Sequence, residues 1–122
     1  MTALGAFFLD KLRFTRYTMA HKPMTAWLGG PPWEHKKTYH DASPTELVTK
    51  MTPPMLLIHG DADKVNPLEQ SQLMFDALRA KDVPCELLVL PGAGHGWAQT
   101  SEHAKKADAA TLAFLAKHMP KG

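Results

Sequence analysis

The chain has 122 residues, 44% hydrophobic and 21% charged, with 14 Lys plus Arg against 12 Asp plus Glu. That length is one domain with room for a core, and that composition excludes both a disordered tail and a membrane protein. The basic residues are scattered apart from Lys11, Arg13 and Arg16 and two lysine pairs, so a nucleic-acid partner has no electrostatic footprint.

The single cysteine, Cys85, cannot form an internal disulfide, which suits the cytoplasm, the expected location. The apolar opening from Ala3 to Leu9 is interrupted by Gly5 and has no basic residue before it. It is too short and wrongly flanked for a signal peptide or a membrane span. Residues 1–52 read as an irregular N-terminal region. Leu4, Phe7, Phe8 and Leu12 share one helical face, while Ala3 to Leu9 also fits a buried strand, and periodicity does not arbitrate at that length. A long loop rich in Gly, Pro, His and aromatic residues is expected to follow from His21 to His40, with His21, His35 and His40 on its surface.

From Pro53 the pattern sharpens into a second region, residues 53–122. Met55-Leu56-Leu57-Ile58, between Pro53-Pro54 and His59-Gly60-Asp61, is the continuous apolar run of a fully buried parallel strand. Cys85-Glu86-Leu87-Leu88-Val89-Leu90, ended by Pro91-Gly92, is a second, with Cys85 as an inert small core residue. Between them Asn66-Pro67-Leu68-Glu69 supplies a cap, proline at the first helical position and a capping glutamate. A helix is predicted from Pro67 to about Lys81, burying Met74, Phe75 and Leu78 beside the small Ser71. A last helix is predicted from about Ser101 to His118, burying Ala104, Ala107, Thr111, Phe114 and Leu115, with Lys105-Lys106 on its solvated face.

Strand, helix, strand, helix is the βαβ signature of an α/β fold, with a right-handed crossover. Two parallel strands do not make a stable sheet alone. A third strand from the N-terminal region, a second copy, or another polypeptide must complete it.

In open parallel sheets ligands sit outside the carboxyl ends of the strands, here the loops His59-Gly60-Asp61-Ala62-Asp63 and Pro91-Gly92-Ala93-Gly94-His95-Gly96-Trp97. Glycines 92, 94 and 96 permit a close-approaching backbone that presents His95. A carboxylate accepting the Nδ1 proton of that histidine would fix its tautomer and leave Nε2 free as a base. Asp63 is placed to be that carboxylate, and Asp61 to form an Asx-type turn. A metal site from His59, Asp61, Asp63 and His95 matches no dedicated spacing, so no metal or cofactor is assigned. Of Trp27, Trp33, Tyr39 and Trp97, the last is the substrate-pocket candidate, and the others read as packing.

Ala42-Ser43-Pro44, the run from Pro53 to Pro67 and the run from Pro91 to Gly96 together resemble the C-terminal portion of α/β-hydrolase esterases. The likeness is greatest to the feruloyl or acetyl esterase and prolyl-oligopeptidase-like branch. It extends from about Trp27 to the C-terminus, with Trp27-Leu28-Gly29-Gly30 and Tyr39 similar to the segment before the acid strand. The resemblance implies a partial α/β-hydrolase fold lacking the N-terminal half of its sheet, with Asp63 as triad acid and His95 as triad base.

Two features of the family are missing from the sequence: a Gly-x-Ser-x-Gly turn and the glycine-rich loop of an oxyanion hole. The three serines are Ser43, Ser71 and Ser101, none flanked by glycines in that spacing. Asn66 stands where a second valine is common, and Asp82 where glycine usually closes the helix. The expected function is a serine-type carboxylic ester hydrolase to which this chain gives the acid and the base, acting on a small-molecule ester. The alternative is an inactive half-domain that self-associates as a structural unit. The expected partner is a second copy, as a homodimer, or a complementing N-terminal half.

Overall fold

The computed structural model describes residues 26–31 and 33–119. The apolar opening with its expected helix or strand lies outside the described residues, as does His21. Among the described residues, 26–28 are helical, and the first element described in full is a short helix, α1 (Lys36–Asp41), followed by a 3-10 turn at Pro44–Leu47. Both fall where the sequence reads as loop or irregular chain. Six residues are too few for an apolar period to register, and α1 is pinned instead by single contacts. The Pro31 carbonyl accepts the N–H groups of Glu34 and His35, and Tyr39, 1% exposed, donates its hydroxyl to the Gly30 carbonyl at 2.9 Å.

Then come β1 (Met55–Gly60), α2 (Leu68–Ala80), β2 (Cys85–Leu90) and α3 (Glu102–His118). The strands pair in parallel, from Met55 opposite Cys85 to Gly60 opposite Leu90. Odd and even strand residues point to opposite faces, and the two core clusters follow that alternation. Met55, Leu57 and Cys85 pack with Met74, Leu78 of α2 and with Val48 and Val83. On the other face Ile58, Leu88 and Leu90 pack with Ala107 of α3 and with Ala93 and Trp97. Helices on both faces and strands in parallel are the α/β architecture the sequence predicts.

The strands are half-buried, not fully buried as their apolar runs predict. The described sheet has two strands, so each strand has a neighbour on one side among the described residues.

α2 ends in a left-handed residue, Asp82, at φ 56°. The Val83 N–H reaches the Leu78 carbonyl at 3.0 Å and the Asp82 N–H the Arg79 carbonyl at 3.0 Å, while Val83 and Leu78 touch in the core. This is a Schellman closure, with aspartate where glycine would relax the backbone most easily.

The start of α2 departs from the expected cap. The helix begins at Leu68, Pro67 occupies the cap position, and no side chain caps it. Asn66 is engaged elsewhere through its backbone, its N–H bound by Asp63 and its carbonyl by His59. In α3 the Ser101 hydroxyl accepts the Ala104 N–H at 3.2 Å. Ala104, Ala107 and Phe114 are buried as predicted, but Thr111 is exposed and Leu115 is 43% exposed. Those two lie away from the sheet, and the Thr111 hydroxyl bonds the Ala107 carbonyl of its own helix instead.

Candidate active site

Both loops after the strands meet at one end of the sheet. Gly60 makes the meeting possible, because the backbone of the second loop passes directly over it. A Cβ on Gly60 would collide with the Ala93 carbonyl oxygen and lie 2.6 Å from the Gly94 oxygen. Two further ties hold the loops together: the Ala62 N–H donates to the Ala93 carbonyl at 2.9 Å, and the Gly92 N–H to Asp61 Oδ1 at 2.7 Å. Gly92 has φ 75°, the left-handed region that turns the chain back over the sheet. Asp61 therefore does not form the local Asx turn expected of it; its carboxylate reaches 31 residues along the chain.

The local turn belongs to Asp63. Its Oδ1 accepts the N–H groups of Val65 at 2.8 Å and Asn66 at 2.9 Å. Its Oδ2 lies 3.1 Å from His95 Nδ1. The Asp63 side chain is 6% exposed, whereas that of His95 is 57% exposed. Burial would raise the Asp63 carboxyl, but the Asn66 N–H, the His95 ring and the Val65 N–H outweigh it and hold the carboxyl below its ordinary range. An ionised carboxylate only accepts, so His95 Nδ1 carries the hydrogen, and in the neutral ring Nε2 then presents a lone pair. Asp63 and His95, picked out in the sequence from separate loops, are thus in direct contact.

In the sequence His59 stands at a strand end and in the metal set that matches no dedicated spacing. Its Nε2 lies 2.8 Å from the Asn66 carbonyl and 3.4 Å from Asp63 Oδ2, and its Nδ1 lies 2.7 Å from the Ser71 hydroxyl. Ser71 is a polar residue on an otherwise apolar helix face, and such a residue needs a partner; that was the available signal. Trp97, the pocket candidate, is half-buried against the cluster of Leu90, Ala93 and Ala107. Tyr39 packs as expected, but Trp27 is 74% exposed because the described chain offers it nothing to pack on. His40 lies on α1, within reach of Asp41 and Glu46.

The serine hydroxyls are all engaged structurally. Ser43 is fully buried beside Thr45, Ser71 bonds His59, and Ser101 caps α3 while donating to the Ala98 carbonyl. Among the described residues, no group of three or more His, Cys, Asp and Glu side chains is arranged to hold a metal ion. A groove of about 250 Å³ between the sheet and α3, lined by Leu56, Leu88, Ala113 and Phe114, includes neither Asp63 nor His95.

A parallel sheet flanked by helices, with these two loops at its carboxyl end, defines part of an α/β-hydrolase. Solved structures agree. The chain superposes on the propionate-bound thermophilic esterase Est2 of Thermogutta terrifontis with a TM-score of 0.61 at 28% identity, covering 83% of this chain and 37% of that one. It superposes on the acetyl ester-xyloside bifunctional hydrolase of Caldicellulosiruptor lactoaceticus with a TM-score of 0.60 at 28% identity, covering 65% and 30%. The sequence profile of the prolyl oligopeptidase family matches residues 3–122, and the chain belongs to that family. Among curated relatives it is 45% identical over 64 residues to esterase LipC of Mycobacterium tuberculosis, 52% of this chain and 16% of that protein. It is 31% identical over 91 residues to dipeptidyl-peptidase 5 of Aspergillus oryzae, 73% of this chain and 12% of that protein. The chain therefore spans a minor part of the length of these relatives.

Proposed function

We propose that this chain supplies the acid, Asp63, and the general base, His95, of a serine-type carboxylic ester hydrolase. The observation that carries the reading is the His95 Nδ1 to Asp63 Oδ2 contact at 3.1 Å, with the carboxylate buried and the imidazole open to solvent. Asp63 holds the ring in one tautomer and stabilises the imidazolium that forms when Nε2 takes a proton. In acylation, Nε2 accepts the hydroxyl proton of a serine as its oxygen attacks the ester carbonyl, then gives that proton to the departing alkoxide. In deacylation, Nε2 takes a proton from water and returns it to the serine. The three serines of this chain are buried or committed to other bonds, so the nucleophile and oxyanion donors come from another polypeptide segment. The likeness to LipC and Est2 supports an ester; the likeness to dipeptidyl-peptidase 5 makes a peptide amide the competing substrate.

The test is hydrolysis of p-nitrophenyl acetate and of a dipeptidyl anilide, by the 122-residue chain alone and mixed with a polypeptide bearing a Gly-x-Ser-x-Gly half. Ester turnover that needs both pieces and is lost in His95→Ala is expected. Turnover by the mixture that survives His95→Ala would overturn the assignment, and preference for the anilide would replace esterase by peptidase.

A second reading rests on the two strands with open outer edges among the described residues. In it the chain associates with a second copy through those edges and hydrolyses nothing.

A further inference from the structure

Asp63 is approached by two histidines, and only one of them has a role in the proposed reaction. We propose that His59 is a positioning residue, which holds Asp63 in the orientation that fixes the His95 tautomer. The inference rests on the reading of Asp63 and His95 as acid and base.

The hydrogen bonds of His59 determine where its proton sits. The Asn66 carbonyl, 2.8 Å from Nε2, can only accept, so Nε2 carries the hydrogen. A neutral ring then has its lone pair on Nδ1, and the Ser71 hydroxyl at 2.7 Å donates to it. Both ring nitrogens are thereby occupied, by a helix on one side and a loop on the other. The His59 side chain is 10% exposed and the Asp63 side chain 6%, so neither bond competes freely with water. The same Nε2–H lies 3.4 Å from Asp63 Oδ2, on the oxygen that receives His95.

Asn66 links the two groups. Its N–H binds Asp63 Oδ1 at 2.9 Å while its carbonyl takes the His59 hydrogen. Without His59, the turn from Asp63 to Asn66 loses the contact that anchors it to β1 and α2, and Oδ2 is free to rotate away from His95. Ser71 acts one step further out, by donating to Nδ1 and so holding the ring in place. The opposite, Nδ1–H tautomer would turn a lone pair towards the Asn66 carbonyl and the Asp63 carboxylate. Both are acceptors, so that arrangement is repulsive.

Ring tautomers are read directly from long-range 1H–15N correlation of the imidazoles, in the 122-residue chain at a pH of about 8.5, where an ordinary histidine is neutral. In the unsubstituted chain His59 should show the Nε2–H form and His95 the Nδ1–H form. His59→Leu should lose the His95 Nδ1–H preference, giving the mixed pattern of a free imidazole, while His59→Gln, which keeps a donor towards Asn66, should restore it. Ser71→Ala, which removes the second anchor of the ring but leaves the Asn66 carbonyl, should keep His59 in the Nε2–H form while weakening the His95 preference. Backbone amide spectra establish that each variant is folded; if His59→Leu is not, Ser71→Ala and His59→Gln decide. A His95 tautomer unchanged in every folded variant would overturn the role of His59. Absence of the His95 Nδ1–H preference from the unsubstituted chain would instead overturn the acid and base pairing itself, so the two failures are distinguishable.

Discussion

Asp63 divides its two carboxylate oxygens between folding and chemistry. Oδ1 closes a turn through the N–H groups of Val65 and Asn66, and Oδ2 faces His95. Its carboxyl is held below the ordinary range, so the group is a stronger acid folded than unfolded. A depressed folded value means stabilisation that is present above the unfolded pKa of about 3.9 and is lost as pH falls through the folded one. Asp63→Asn should therefore be less stable than the unsubstituted chain near neutrality, by about 1 kcal/mol, the difference between charged and neutral hydrogen bonds. The gap should narrow as the pH falls below about 4 and close below the depressed folded value, and urea unfolding of both proteins across that range checks it; a gap independent of pH would mean that the charge contributes nothing. Asp61 and Asp63 show where sequence reading reaches its limit at this scale. Their identities and loops could be read, yet the turn falls to Asp63 while Asp61 ties to Gly92, because the partner of Asp61 is brought close only by the pairing of the strands.

The strands and helices were legible because their signals are local. Met55 to Ile58 and Cys85 to Leu90 are apolar runs cut off by glycine and proline, and Pro84 sets the distance between α2 and β2. Ser101 caps α3 as its type predicts. Asn66 fails as a side-chain cap because the helix begins at Leu68 with Pro67 in the cap position, and the contact of His59 with Ser71 forms only when α2 packs on the sheet. Two glycine-related substitutions test this layer in opposite directions. Asp82→Gly relieves a left-handed aspartate at the Schellman closure and should raise stability by about 0.5 kcal/mol, read as a higher urea midpoint with unchanged slope. Gly60→Ala places a methyl group into the Ala93 and Gly94 carbonyls, both backbone atoms that cannot rotate away. It should cost about 1–3 kcal/mol and displace the base loop. The diagnostic sign is loss of the His95 Nδ1–H form in a protein whose α3 amides are unchanged; retention of both would mean that the loop does not need the close approach.

At the scale of the whole molecule the question is what lies along the outer edges of the sheet. The Met55 N–H bonds the Pro84 carbonyl and the Asp61 N–H the Leu90 carbonyl, so odd-numbered amides of β1 point into the ladder. Strand geometry then turns the amides of Leu56 and Ile58 outward, and those of Cys85, Leu87 and Val89 outward from β2. Unpaired edges of apolar strands are templates for another strand. The apolar runs of β1 and β2 have the composition of strands buried between neighbours, yet they are half-buried here. Hydrogen exchange reads this edge residue by residue. Leu57 and His59 should be protected at every protein concentration, because their partners lie within the described pair. If the edge of β1 is covered by a second copy, protection of Leu56 and Ile58 should rise with concentration in step with dimer formation by sedimentation. That is the expected outcome for the isolated chain. Protection independent of concentration would place a further strand of this same chain on the edge. No protection at any concentration would leave the edge open, and protection that appears only on adding a Gly-x-Ser-x-Gly half would tie closure of the sheet to assembly of the site.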